Sequence, residues 1–188
     1  MKRFQYALTL TNPILFFLMS ACLLIGFVET AQPTDKALDE SNFGILGLII
    51  GDCAPRDVYS KFGPGIAFKD AAQADVSQVC YISDRDETLI LFSTKSSKCT
   101  GFKMMSQKKR FYKWHFCEKS SLVSKHLTTG SGIKLGMSRN QLKAILGPPE
   151  RESNSLLNYV FDRDRKTTIR AEFSDAGLIS FDLLKIKQ

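Results

Sequence analysis

Along the last third of the chain, Ile169, Ala171 and Phe173 interleave with Thr168, Arg170 and Glu172. A period of two buries one face of an antiparallel strand and wets the other. Strands are predicted at 78–83, 88–94 and 99–106, and again at 156–161, 167–173 and 178–186, with Ser174 to Gly177 as a turn. Ahead of each trio the apolar spacing becomes helical. Ser138 is an N-cap with Gln141 as its capping-box partner, Leu142, Ile145 and Leu146 form the apolar stripe, and Gly147-Pro148 is the stop. The earlier counterpart has Pro55 in its opening turn, Val58, Tyr59 and Phe62 facing inward, and Gly63-Pro64 as its stop.

The same elements occur twice in the same order. Leu48-Ile-Ile-Gly51 followed by Val58 to Pro64 recurs as Ile133-Lys-Leu-Gly136 followed by Leu142 to Pro148, with a spacing that differs by one residue. Tyr81-Ile-Ser-Asp84-Arg85-Asp86 is echoed by Tyr159-Val-Phe-Asp162-Arg163-Asp164, and Phe102-Lys-Met-Met by Phe181-Asp-Leu-Leu. Ordered self-similarity of this kind predicts a duplicated unit. The expected fold class is α+β: two tandem modules, each a short helix packed on an antiparallel β-meander. The first is expected over 43–118 and the second over 131–188, with a linker at 119–130. One short helix shields only one sheet face, so the other is expected to stay open for binding. The aromatic stretch 110–116 reads as a fourth strand of the first module.

The first thirty-one residues stand apart. Lys2 and Arg3 precede an uncharged apolar run from Ile14 to Val28, and Thr30-Ala31 offers small residues beyond it. The run is short for the roughly 30 Å hydrocarbon core, so a signal peptide over 1–31 is expected, with an uncleaved anchor as the alternative. A lipobox at Met19-Ser20-Ala21-Cys22 is weaker, because an apolar stretch follows the cysteine. Export predicts a periplasmic or secreted protein, membrane-anchored if the segment is retained. The full chain of 188 residues carries net charge +7. That favours encounter with anionic envelope surfaces or acidic partners, whereas nucleic acid is an unsuitable partner for an exported chain.

Export also bears on the cysteines. Cys53, Cys80, Cys99 and Cys117 are an even set bound for an oxidising compartment, and two disulfides are expected. Cys99 and Cys117 flank Lys108 symmetrically, as cross-strand partners in a hairpin turning at 107–109 would; that pairing leaves Cys53 with Cys80. No C-x-x-C pair supports the rival reading of a metal held by thiols and His115.

Lys108, Lys109, Arg110 and Lys113 interleave with Phe111, Tyr112, Trp114 and Phe116. Such a mixture can hold an anionic partner by charge and a planar one by aromatic contact, so Lys108, Lys109, Arg110, Tyr112, Lys113 and Trp114 are the candidate binding residues. The bland alternative places Tyr112, Trp114 and Phe116 inward as core, under a solvated basic hairpin tip. The repeated Asp-Arg-Asp supplies too few oxygens for calcium, which takes about 6 to 8, and reads as turn chemistry. His115 and His126 are the only histidines, and neither lies in a nucleophile motif. No catalytic residue, metal or cofactor is assigned.

The stretch Gly-Met-Ser-x-x-Gln-Leu-x-x-x-Leu-Gly-x-Pro from Gly136 to Pro149, with a tyrosine-bearing strand after it, resembles the SmpA/OmlA (BamE-like) family of bacterial envelope lipoproteins. The tandem arrangement is similar to that of the beta-lactamase inhibitory protein family. The resemblance implies a non-enzymatic protein that binds other proteins through its sheet. The functional expectation is protein–protein recognition in the envelope or outside the cell, by the open sheet faces. The alternative is binding of anionic lipid or glycan by the basic-aromatic hairpin, and a small hydrolase ranks last.

Overall fold

The computed structural model describes residues 44–70, 73–161 and 167–185. The expected targeting segment, Asp162-Arg163-Asp164 and Ile186 lie outside the described residues. The chain forms a small hairpin of β1 (Gly44–Ile45) and β2 (Leu48–Ile49), then α1 (Pro55–Phe62), β3 (Ala67–Lys69), β4 (Ser77–Ile82), β5 (Leu89–Lys95) and β6 (Lys98–Met105). After β7 (Glu118–Lys119) come α2 (Arg139–Leu146), β8 (Arg151–Glu152), β9 (Leu156–Phe161), β10 (Thr167–Ser174) and β11 (Gly177–Lys185). The described residues are mixed α and β, with two helices and one large sheet in the order β3-β4-β5-β6-β11-β10-β9-β8, and β7 added parallel to β4.

Both helices end as their sequences dictate. Ser138 Oγ accepts from the Gln141 amide at 3.3 Å while Gln141 Oε1 accepts from the Ser138 amide at 2.9 Å. At α1 only half of that box exists, because Ala54 has no side-chain acceptor; its amide donates to Asp57 Oδ2 at 2.8 Å. Gly63 and Gly147 follow the helices at φ 99° and 79°, values that a side chain resists.

Cross-strand register separates the two faces. On the helix side one row runs Val79, Phe92, Phe102, Leu183, Ile169, Tyr159, and the next runs Tyr81, Ile90, Met104, Phe181, Ala171, Leu157. All twelve are buried and belong to one core with Val58, Phe62, Leu142 and Leu146 of the helices. Val123 and Leu127, from the stretch between β7 and α2, are buried in the same core. On the reverse side a row runs Cys80, Leu91, Lys103, Asp182, Arg170, Asn158, and a second runs Ile82, Leu89, Met105, Ser180, Glu172, Leu156. Each of these is apolar on the β4–β6 half and turns polar at the β6–β11 seam, apart from Leu156 at the far end. At that seam a Cβ on Gly101 would collide with the Leu183 carbonyl, so only glycine allows the strands their approach.

The segment between β6 and β7 corrects two expectations. Residues 110–116 are not a fourth strand. The chain leaves the sheet after Ser106 and folds across the reverse face through 3₁₀ turns at Lys108–Arg110 and Trp114–Phe116. The disulfide joins Cys80 to Cys117, with Cα atoms 4.9 Å apart, rather than Cys99 to Cys117 or Cys53 to Cys80. The reason is the pleat: Cys80 and Cys117 sit in the reverse-face cluster, whereas Cys53 and Cys99 sit in the helix-face core, so either expected bond would have to pass through the sheet. Symmetry about Lys108 presupposed a hairpin that does not form. Cys53 and Cys99 are buried thiols.

Candidate functional site

The apolar half of the reverse face needs a cover, and residues 107–117 supply it as a strap. Phe111 and Cys117 are buried against Cys80, Ile82, Leu89, Leu91 and Met105, with Phe68 and Trp114 packed at the margin. Phe68 and Phe111 lie with ring centroids 5.7 Å apart. The disulfide fastens the end of the strap to β4.

Most of the predicted binding residues are occupied by this covering role. Lys108 pairs with Glu87 at 3.3 Å and lies 5.5 Å from the Trp114 ring centroid. Arg110 reaches over the seam to Glu172 of β10 at 2.8 Å. Lys113 Nζ stands 4.6 Å from the Phe68 ring and 5.2 Å from that of Tyr112, and donates to the Lys69 carbonyl at 3.4 Å. Trp114 is half-buried. Lys109 is exposed and Tyr112 is 69% exposed. The alternating core reading also fails, because 3₁₀ turns have a period near three: Phe111 and Trp114 point in, while Tyr112 and Phe116 point out.

Beyond the seam no strap covers the reverse face among the described residues. Lys103, Asp182, Arg170 and Asn158 form a polar row, with Glu172 beside it and Thr168, Val160 and Leu184 in the next row. Arg170 and Val160 are exposed, and the others are half-buried. Opposite charges alternate on this floor. Lys103 meets Asp182 at 3.5 Å, and Arg170 and Arg110 converge on Glu172 at 3.3 and 2.8 Å. Burial pushes the Asp182 carboxyl above the ordinary aspartate range in spite of Lys103 and Arg170, so this charge is held at the edge of what its neighbours can support. Arg110 makes the strap the border of the open half.

Sequence reading found Arg170 and Glu172 as outward positions but not the neighbouring ion pair of Lys103 and Asp182. Those lie far apart in the chain, at equivalent places in Phe-Lys-Met-Met and Phe-Asp-Leu-Leu, and aligning the two segments antiparallel would have brought them together. The Asp84-Arg85-Asp86 segment behaves as turn chemistry. Asp86 Oδ1 accepts from the Thr88 amide at 2.8 Å and Oδ2 from the Lys125 amide at 3.0 Å. Among the described residues no three or more His, Cys, Asp or Glu side chains gather as metal ligands, and no helix is long and apolar enough to cross a membrane.

No family model and no curated protein matches this chain. The resemblance to the SmpA/OmlA (BamE-like) family and to beta-lactamase inhibitory protein is therefore withdrawn. The segment that carried it, Gly136 to Pro149, is helix-capping chemistry: a Ser N-cap, a Gln partner and a Gly stop serve any short helix in this setting. Among solved structures, a cysteine-rich secretory protein from Staphylococcus aureus is similar at 14% identity with a TM-score of 0.40, over 79% of this chain and 47% of that one. The chain thus spans about half the length of that protein. The Cys80–Cys117 bond is consistent with an extracellular or periplasmic location.

Proposed function

We propose that this is a non-enzymatic exported protein of the bacterial envelope or its surroundings, and that it recognises a protein partner through the open half of its reverse sheet face. The observation that carries the reading is the break at the seam: one half of that face is apolar and sealed by a disulfide-fastened strap, whereas the other is polar, mixed in charge and, among the described residues, uncovered. A floor of alternating charges suits a surface of complementary charges, since steering and register come from such pairs. Val160 and Leu184 supply apolar area beside them.

The same proposal includes the tandem origin of the fold. Its support is a pseudo-two-fold relation about the Lys103–Asp182 pair. The rotation exchanges β6 with β11, β5 with β10 and β4 with β9, and carries one helix-face row onto the other reversed, so that Tyr81 falls on Tyr159 and Phe102 on Phe181. On this view both copies inherited an open face, and the first lost its own to the strap.

The test uses the mature protein and a variant carrying Arg170→Ala with Val160→Ser, both exposed sites where surface substitutions leave stability nearly unchanged. Immobilised wild type should retain a discrete protein from envelope extracts at physiological salt, and the variant should retain at least about tenfold less. A Tyr112→Ala, Phe116→Ala variant should bind as wild type does. Retention of lipid or glycan instead, lost with salt and with the strap variant, would favour the alternative reading of an anionic surface held by Lys109, Tyr112 and Phe116.

A further inference from the structure

Cys53 and Cys99 come from opposite ends of the first half, the entrance to α1 and the start of β6, yet they meet in the helix-face core. The Cys99 amide donates to the Cys53 carbonyl at 2.8 Å, and the Gly51 amide donates to the Cys99 carbonyl at 2.8 Å. Their side chains stand close enough for each to shift the other's titration. The other half repeats the backbone clasp with different side chains. There the Leu178 amide donates to the Met137 carbonyl and the Gly136 amide to the Leu178 carbonyl, both at 2.8 Å. A thiol pair thus stands where the second half has a methionine and a leucine. Either pair can fill an apolar contact, but only the thiols can be joined covalently.

We propose that Cys53 and Cys99 form a second disulfide when the chain folds in an oxidising compartment, bolting the entrance of α1 to β6. The oxidant is a dithiol–disulfide exchange protein or a small-molecule disulfide. The Cys53 thiolate attacks one sulfur of that disulfide and expels the other as a thiolate. The Cys99 thiolate then attacks the Cys53 sulfur of the mixed disulfide and expels the second. Two protein thiols lose two protons and two electrons, and the oxidant's disulfide becomes two thiols, so the exchange balances. Both sulfurs are sealed in the finished core, which puts the reaction during folding rather than after it. The bond lies on the helix face, so it leaves the open half of the reverse face unaltered.

The test is peptide mapping of the protein refolded from reduced chains with oxidised glutathione, after alkylation under denaturing, non-reducing conditions. The expected result is a Cys53–Cys99 linked peptide alongside the Cys80–Cys117 one. Recovery of Cys53 and Cys99 as separate alkylated peptides in the refolded, disulfide-containing protein would overturn the proposal, as would either joined to Cys80 or Cys117. A Cys53→Ala, Cys99→Ala variant is the second measurement: its thermal midpoint should lie below that of the oxidised wild type, and equal midpoints would also count against the bond.

Discussion

The two halves of the sheet carry the same elements in the same order and solve the problem of their reverse face in opposite ways. Between β4 and β6 the residues facing away from the helices are Cys80, Ile82, Leu89, Leu91 and Met105, which would be an exposed apolar patch without the strap and its disulfide. Between β9 and β11 the positions at the same register are Asn158, Val160, Thr168, Arg170 and Leu184, a mixed set in which Val160 and Arg170 are exposed and the others half-buried, with no strap over them among the described residues. The lesson is that the helix face sets the architecture, because both halves keep it apolar, whereas the reverse face differs between them.

Breaking the strap should have the largest effect. A Cys80→Ser, Cys117→Ser variant releases a loop whose ends are 37 residues apart, and in the chain-entropy model that constraint contributes about 4 kcal/mol. Denaturant titration should show that loss, together with dye binding to the uncovered β4–β6 face. If the open half merely mirrors the covered one, removing the bond should not expose new apolar surface.

The equivalent tyrosines sharpen the comparison. Tyr81 donates its hydroxyl to the Gly63 carbonyl at 2.8 Å, whereas the buried Tyr159 hydroxyl has no partner among the described residues. Tyr81→Phe should cost about 1 kcal/mol, and Tyr159→Phe should be neutral or stabilising by a similar amount. Burial pushes Tyr159 up to about 12 and raises Tyr81 as well. The folded state therefore holds these protons after the unfolded chain has released them. Stability should be intact below about pH 10, the ordinary tyrosine value, and should fall as pH climbs from there. Tyr159→Phe should flatten part of that decline in an alkaline denaturation series.

The smallest effect separates the helix entrances. Ser138→Ala removes a side-chain cap and should cost about 1 kcal/mol, while Ala54→Ser completes the half-made box of α1 and should gain somewhat less. Thermal midpoints moving in opposite directions would check this; a loss at Ala54 would mean that the loop after Cys53 cannot accept the hydroxyl geometry.

Much of the fold is legible in the sequence. The six long strands fall within a residue or so of where alternation predicts them, and both helices start and stop at the predicted caps, because these signals are local: a pleat, a stripe, a Ser, a glycine that must take positive φ. The short strands β1, β2, β3, β7 and β8 carry no such period and were not predicted. The strap was misread as a strand because Phe111 to Phe116 reads equally well with a period of two or three, and only the face it must cover selects between them. The candidate surface was legible in part, through Arg170 and Glu172, and hidden in part, since Lys103 and Asp182 meet only once β6 pairs with β11.

What the amino-acid sequence determined by itself was therefore the two helices, the six long strands and their order, since each depends on neighbours within a few positions of the chain. The tertiary structure alone decided that β6 and β11 join the halves, that Cys80 bonds Cys117 and Cys53 meets Cys99, and that one reverse face is sealed while the other stays open. Those outcomes depend on which surfaces come within contact distance across the sheet, and sequence spacing does not encode that distance.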